Sequence, residues 1–134
     1  AYTADSWGIA AAYSDIEDTD SETAATTATF WGINAMYAFD FATLSVGFES
    51  ESPASGSDAT GYFAGLSFPE VGAGTFDIGM GTTGNFADGA TEYYIYEASY
   101  SYPVNDGMTI TPGVYIKEGS TDTTGFAVKT SFSF

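Results

Sequence analysis

Hydrophobic and polar residues alternate along most of this chain with a period of two. Because successive side chains of a β-strand point to opposite faces, this period is typical of strands with one apolar and one polar face. Eight segments show it, from "SWGIAAAYS" near the start to "GFAVKTSFSF" at the end. Most run for about nine to eleven residues, the length that a tilted strand needs to cross a bilayer. The pattern predicts an all-β chain of about eight antiparallel strands.

The connections between these segments alternate between short and long. The short ones lie at Asp40, where the turn is expected to take one or two residues, at "PEVGAG" and at "PVNDG". The other connections are mostly longer, polar and acidic. Such asymmetry is typical of outer-membrane barrels, whose even strand number leaves both chain ends on the periplasmic side. We therefore expect a transmembrane antiparallel β-barrel, with a soluble β-sandwich as the alternative fold.

The apolar face of the segments carries aromatic residues near the strand ends and Ala, Leu, Ile and Val between them. Membrane barrels place aromatic side chains in two girdles, one at each edge of the lipid-facing band. A sugar-stacking role for the tyrosines is the less favoured alternative, because their phase matches the apolar face. The expected girdle residues are Trp7, Tyr13, Trp31, Tyr37, Tyr94 and Tyr102.

The opposite face consists mainly of Gly, Ala, Ser and Thr, with sparse charges. In a barrel this face lines the lumen, where charged side chains bias the passage of ions. The alternative is that these charges pair with one another or with further strands and merely remain hydrated. The expected lumen-facing charges are Glu49, Asp77, Glu97, Lys117 and Lys129.

The composition excludes several classes of function. Two lysines, no arginine and eighteen acidic residues give a net charge of −16, which argues against nucleic-acid binding. The chain has no Cys and no His, so disulfides, a common zinc site and a His-based triad are excluded. No apolar run is long enough for a transmembrane helix. Because no signal peptide opens the sequence, we expect a mature chain or a fragment.

One acidic segment is a weak candidate for calcium, because carboxylate oxygens are the ligands that calcium prefers. It lacks the spacing of an EF-hand, and a solvated loop bridged to lipopolysaccharide by divalent ions is the favoured interpretation. No acidic pair lies in an evident pocket with a supporting His or Arg, so enzymatic activity is not expected, nor is a cofactor. The acidic residues of this segment are Asp15, Glu17, Asp18, Asp20 and Glu22.

Over most of its length the chain resembles cyanobacterial outer-membrane porins, the S-layer-homology-linked, OprB-like carbohydrate-selective or iron-uptake porins. The most specific matches are the turn from Tyr102 to Asp106 in "SYPVNDGMTITPGVYIKEG", the strand from Ile110 to Gly113, and the end from Thr130 to Phe134 in "GFAVKTSFSF". "GYFAGLSFPEVG" and "WGIAAAYS" are similar to earlier hairpins of the family.

This resemblance implies a passive, water-filled pore of about sixteen strands, usually trimeric, in the outer membrane. It also implies that Phe132 and the terminal Phe134 belong to the signal that the barrel-assembly machinery reads. Complete members carry a signal peptide, an S-layer-homology domain and about twice as many strands, none of which precedes Ala1. Residues 1–134 are therefore expected to be a single segment, the C-terminal half of such a barrel.

The expected lining supports a half-barrel. The lumen of an eight-stranded barrel is filled by its own side chains, whereas this lining is mostly Gly, Ala and Ser. Even with Phe63 and Tyr115 it is too small to fill a narrow lumen. The alternatives are a small eight-stranded barrel that anchors or adheres through acidic loops, and a secreted acidic sandwich that binds calcium.

Overall fold

The computed structural model describes most of the chain as nine β-strands. It covers residues 1–18, 26–53, 58–82 and 92–133, with only the backbone described at 17, 18, 26 and 27. The strands are β1 (Tyr2–Thr3), β2 (Trp7–Asp18), β3 (Thr26–Ala38), β4 (Thr43–Ser52), β5 (Ala59–Val71), β6 (Gly74–Thr82), β7 (Tyr94–Asn105), β8 (Met108–Lys117) and β9 (Thr123–Phe132).

All nine strands form one antiparallel sheet in which each strand pairs with its neighbours in sequence. The all-β antiparallel prediction is confirmed, and the eight predicted segments correspond to β2 through β9. The sheet is open rather than closed into a barrel, since in the described part of the chain β9 pairs with β8 alone. No second sheet packs against it there, so the described residues do not form a sandwich.

Three short turns lie at one end of the sheet. The β5–β6 turn consists of Gly72 and Ala73, and Gly72 has a φ of 65°, a left-handed conformation that glycine adopts without strain. The β7–β8 turn is Asp106–Gly107, at the predicted Asp-Gly pair. The β3–β4 connection was expected to take one or two residues but takes four, residues 39–42, because β3 ends at Ala38.

The boundaries of several predicted loops are wrong; for example, residues 103–105 of the predicted "PVNDG" connection belong to β7. Pro69 and Glu70 belong to β5 rather than to the turn, and the register shifts between Phe68 and Val71 around this proline, which has no N–H to donate. The segment from Asp15 to Asp18 was expected in a loop but continues β2. The other connections, at the end opposite the short turns, span residues 19–25, 53–58, 83–93 and 118–122.

A single sheet gives this chain almost no interior. Among the described residues Ala42 is the buried hydrophobic one, at 1% exposure. The accessible surface is 9249 Å², whereas a compact protein of 14.0 kDa is expected to expose about 6,700 Å². The described residues contain no helix that is long and apolar enough to cross a membrane.

Candidate pore-lining face and aromatic rims

The strand register brings the apolar side chains of β2 through β9 onto one continuous face. Trp7 lies opposite Tyr37, Tyr13 opposite Trp31, and the same alignment holds across every later strand pair. A one-residue slip in any pair would move a whole strand to the wrong face. The face that the alternation predicts for the apolar residues of each segment is therefore the same face of the sheet in all eight strands.

This apolar face has aromatic rims and an aliphatic middle. The rim beside the longer connections contains Tyr13, Trp31, Phe48, Tyr62, Tyr94, Tyr96 and Phe126, and the rim beside the short turns contains Trp7, Tyr37, Phe68, Phe76, Tyr100, Tyr102 and Phe132. Between the rims the face carries Ile, Ala, Leu, Val, Met and Pro, together with Thr130. It carries no charged residue there in the described strands. The six predicted girdle residues all lie in these two rims.

Polar groups on this face meet one another at the rims. The Tyr13 hydroxyl donates to Asp15 at 2.8 Å, and the Thr29 hydroxyl donates to the same carboxylate at 3.0 Å. The Tyr62 hydroxyl donates to that of Tyr94 at 2.7 Å. These hydroxyls therefore have hydrogen-bond partners within the rim, as is usual for tyrosines whose rings lie against apolar surface.

The two rims cross the sheet diagonally. Starting at Trp7, the residues that lie opposite one another are Tyr37, Leu44, Leu66, Ile78, Ala98, Val114 and finally Phe126. This row of opposing residues therefore begins in the short-turn rim, at Trp7 on β2, and ends in the rim beside the longer connections, at Phe126 on β9. The short-turn rim residue of β9 is Phe132, six residues further along the strand. Six residues over seven strand spacings correspond to a strand tilt of about 30°. Membrane barrels tilt their strands by roughly 35–45°.

The second face is polar and holds all five predicted lumen charges. Each charged residue has small or neutral neighbours in register across the adjacent strands. Glu49 lies between Gly32 and Gly61, Asp77 between Ser67 and Ser99, Glu97 between Gly79 and Tyr115, Lys117 between Ile95 and Thr123, and Lys129 opposite Thr111.

Two cavities show that the polar face is the concave one. The larger, of about 450 Å³, lies against β2 through β6 and is lined mainly by residues of the polar face. The smaller, of about 300 Å³, lies against β6 through β9, with Asp77, Glu97 and Tyr115 in its wall. A sheet encloses space on its concave side, so the polar face is the inner one.

Two aromatic side chains on this face lie over glycines of the adjacent strand. A Cβ added at Gly47 would clash with ring carbons of Phe63, and one added at Gly125 would clash with the ring of Tyr115. The rings therefore occupy the space that a side chain on the neighbouring strand would take. Sequence alternation placed both residues on the inner face, whereas this contact depends on the cross-strand register.

Sequence reasoning missed Glu51. It follows Glu49 on the same face and lies opposite Phe30. The third alternating segment was ended at Glu49, although the period of two continues through Glu51 and would have placed it on the inner face. Both carboxylates line the larger cavity.

The weak calcium candidate is not assembled by the described residues. Asp15 is engaged by the hydroxyls of Tyr13 and Thr29, while the side chains of Glu17 and Asp18 and all of Asp20 and Glu22 lie outside the described part. Within that part, no three acidic side chains lie close enough to hold a metal ion. Of the two residues assigned to the assembly signal, Phe132 lies opposite Met108 and is 61% exposed, and Phe134 lies outside the described residues.

The chain was compared with protein-family models, with curated protein sequences and with solved structures, and none of them matches it.

Proposed function

We propose that this chain forms part of the wall of a water-filled pore in a bacterial outer membrane, through which ions and small hydrophilic solutes diffuse. The observation that carries the proposal is the pair of aromatic rims. They bound an uncharged apolar band and run diagonally across the register at about 30°, close to the roughly 35–45° strand tilt of membrane barrels.

The exposed apolar face supports contact with lipid. Val46 and Ile78, in the middle of the band, are 38% and 40% exposed, and Phe126 and Val128 on β9 are 68% and 55% exposed. Proteins that act in water rarely leave so large a contiguous apolar surface uncovered. The rims lie six residues apart, about 20 Å along a strand, and their rings extend this distance toward the ~25 Å of a barrel's apolar band.

The open edges support a larger barrel. Backbone groups in the hydrocarbon region have no water to bind, so a sheet that crosses a bilayer must be closed. The inner face here is rich in glycine and serine and cannot fill the lumen of an eight-stranded barrel. We infer that further strands pair with β2 and β9 to give a barrel of about sixteen strands. A homotrimer, contact with lipopolysaccharide and insertion by the barrel-assembly machinery belong to the same proposal, through the resemblance described above.

Planar-bilayer recording of the purified native assembly tests the proposal. Stepwise conductance increments in potassium chloride are expected, together with aggregation when detergent is withdrawn. A protein that stays monodisperse without detergent would contradict the lipid-facing band. Detergent-dependent protein that inserts but gives no conductance steps would contradict the pore and would favour the small adhesive barrel.

A further inference from the structure

The larger cavity on the inner face combines an aromatic ring with two carboxylates. Gly32, Gly47, Gly61 and Gly81, on four neighbouring strands, line it, and their lack of side chains leaves room for the larger side chains of adjacent strands. With a volume of about 450 Å³ it accommodates a small organic molecule. It lies at the end of the sheet that carries the longer connections.

Phe63 and Asn34 meet over one of these glycines. A Cβ at Gly47 would clash with the Phe63 ring and would lie 2.5 Å from the Asn34 amide oxygen, so the two side chains approach from opposite sides and meet there. Phe63 is held against the wall but remains 45% exposed. The ring is therefore a fixed apolar platform that is open to the lumen, with an amide oxygen beside it.

The carboxylates lie next to this platform. Glu49 leans over Gly61, where an added Cβ would be 2.7 Å from its Oε1 atom, and Gly61 is two residues before Phe63 on the same face. Glu51 lies further toward the longer connections and also lines the cavity. Both lysines of the chain are on β8 and β9, away from this wall. The local field at the ring is consequently negative.

We propose that this cavity binds small organic cations, meaning ammonium ions that carry apolar substituents. The proposal rests on the inner face being open to water, as in the proposed pore. Glu49 and Glu51 attract the charge, while the face of Phe63 contacts the substituents and interacts with the cation. An inorganic cation keeps its hydration shell and would use the carboxylates alone. Binding is weak enough for release, as passage through a pore requires.

Titration of the isotope-labelled native assembly in zwitterionic detergent micelles tests this site directly. Tetramethylammonium chloride is the probe, sodium chloride is the matched control, and the amide signals of Gly47 and Gly61 are followed by NMR. We expect saturable shifts with tetramethylammonium. Phe63→Leu should weaken binding by roughly two- to fivefold, and Glu49→Gln with Glu51→Gln should weaken it more.

Tyr115→Leu is the control for loss of an inner-face aromatic, because its ring also lies over a glycine but belongs to the other cavity. It should leave the affinity unchanged. Phe63→Trp, which keeps a platform, should bind at least as well as the parent and guards against a folding defect in the leucine variant. Equal affinities for the parent and Phe63→Leu would overturn the proposal, as would equal affinities for sodium and tetramethylammonium. Since the titration needs no conductance, loss of the pore function would leave this result standing.

Discussion

The two faces of the sheet differ in side-chain volume as well as in polarity. The outer face places Trp, Tyr and Phe in its rims and branched aliphatics between them, whereas the inner face has nine glycines at strand positions from Gly8 to Gly125. Large side chains on one side and small ones on the other allow a sheet to curve toward the small side. The same distribution that gives the sheet one apolar and one polar face thus also favours the curvature that a barrel needs.

The largest expected effect comes from placing one charge on either face of the same strand. Val46→Arg puts a guanidinium in the middle of the apolar band, and we expect it to cost about 2–4 kcal/mol of folding free energy in lipid vesicles. Ser45→Arg, one residue away, lies on the inner face, which is the water-filled side in the proposed pore, and should cost less than about 1 kcal/mol. Urea titration followed by the fluorescence of Trp7 and Trp31 measures both.

If Val46→Arg and Ser45→Arg lowered the folding free energy by equal and small amounts, lipid would not cover the outer face. Equal and large losses would show that neither face is open to water. Only the first of the two variants should also fail to insert into preformed vesicles.

The next effect concerns the glycines beneath the inner aromatics. Gly47→Ala and Gly125→Ala would force Phe63 and Tyr115 from their positions, and we expect losses of about 1–2 kcal/mol. Gly79→Ala is the matched control, because its Cβ would lie 3.6 Å from the nearest atom, the carbonyl oxygen of Ala64. It should change the free energy of unfolding by less than about 0.5 kcal/mol.

Combining Gly125→Ala with Tyr115→Ala sharpens this test, since removal of the ring should recover part of the loss. A double-mutant cycle measures the coupling between the two positions. Strict additivity would mean that the ring does not lie over the glycine in the folded protein.

A smaller effect is expected from neutralising carboxylates on the inner face. Glu49→Gln with Glu51→Gln should lower the preference for potassium over chloride by roughly two- to threefold, because screened charges in water interact by only about 1 kcal/mol at contact. Reversal potentials in a potassium chloride gradient report this ratio. Asp15→Asn, on the outer face, is the control and should leave it unchanged. If the preference for potassium over chloride fell by a similar factor in both variants, selectivity would be set by the overall charge of the protein and not by the charges of the inner face.

The smallest effect is expected at the rim hydroxyls. Tyr62→Phe removes the hydrogen bond to Tyr94, and Tyr100→Phe removes the 2.7 Å hydrogen bond to the Val71 carbonyl. Each substitution should lower the folding free energy by about 0.5–1 kcal/mol, because water at the rim replaces part of the lost hydrogen bond. Urea titration in vesicles measures both, with Tyr2→Phe on β1 as a control beyond the eight main strands. Losses above 2 kcal/mol would show that these hydroxyls are sealed from water.

Much of this architecture could be predicted from the sequence, because the alternation of apolar and polar residues directly indicates the face of the sheet on which each side chain lies. This signal fails beyond Ser14, where Asp15 falls in the apolar phase and Ile16 in the polar phase, which is why the extension of β2 from Asp15 to Asp18 was assigned to a loop. Pro69 was assigned to a turn on its usual preference, although it lies in β5 next to a register shift. The Phe63–Gly47 contact joins residues sixteen apart and depends on pairing that no single segment encodes.

The neighbour-to-neighbour pairing of the strands has a consequence for folding and for change over time. Within the described residues, every strand from β2 to β9 contacts only the strands before and after it in sequence, so each hairpin can form without waiting for a distant part of the chain. Low sequence separation between contacting residues favours rapid assembly. It also means that one hairpin can be lost or duplicated without rerouting the rest, so a wall of this kind can be widened or narrowed two strands at a time.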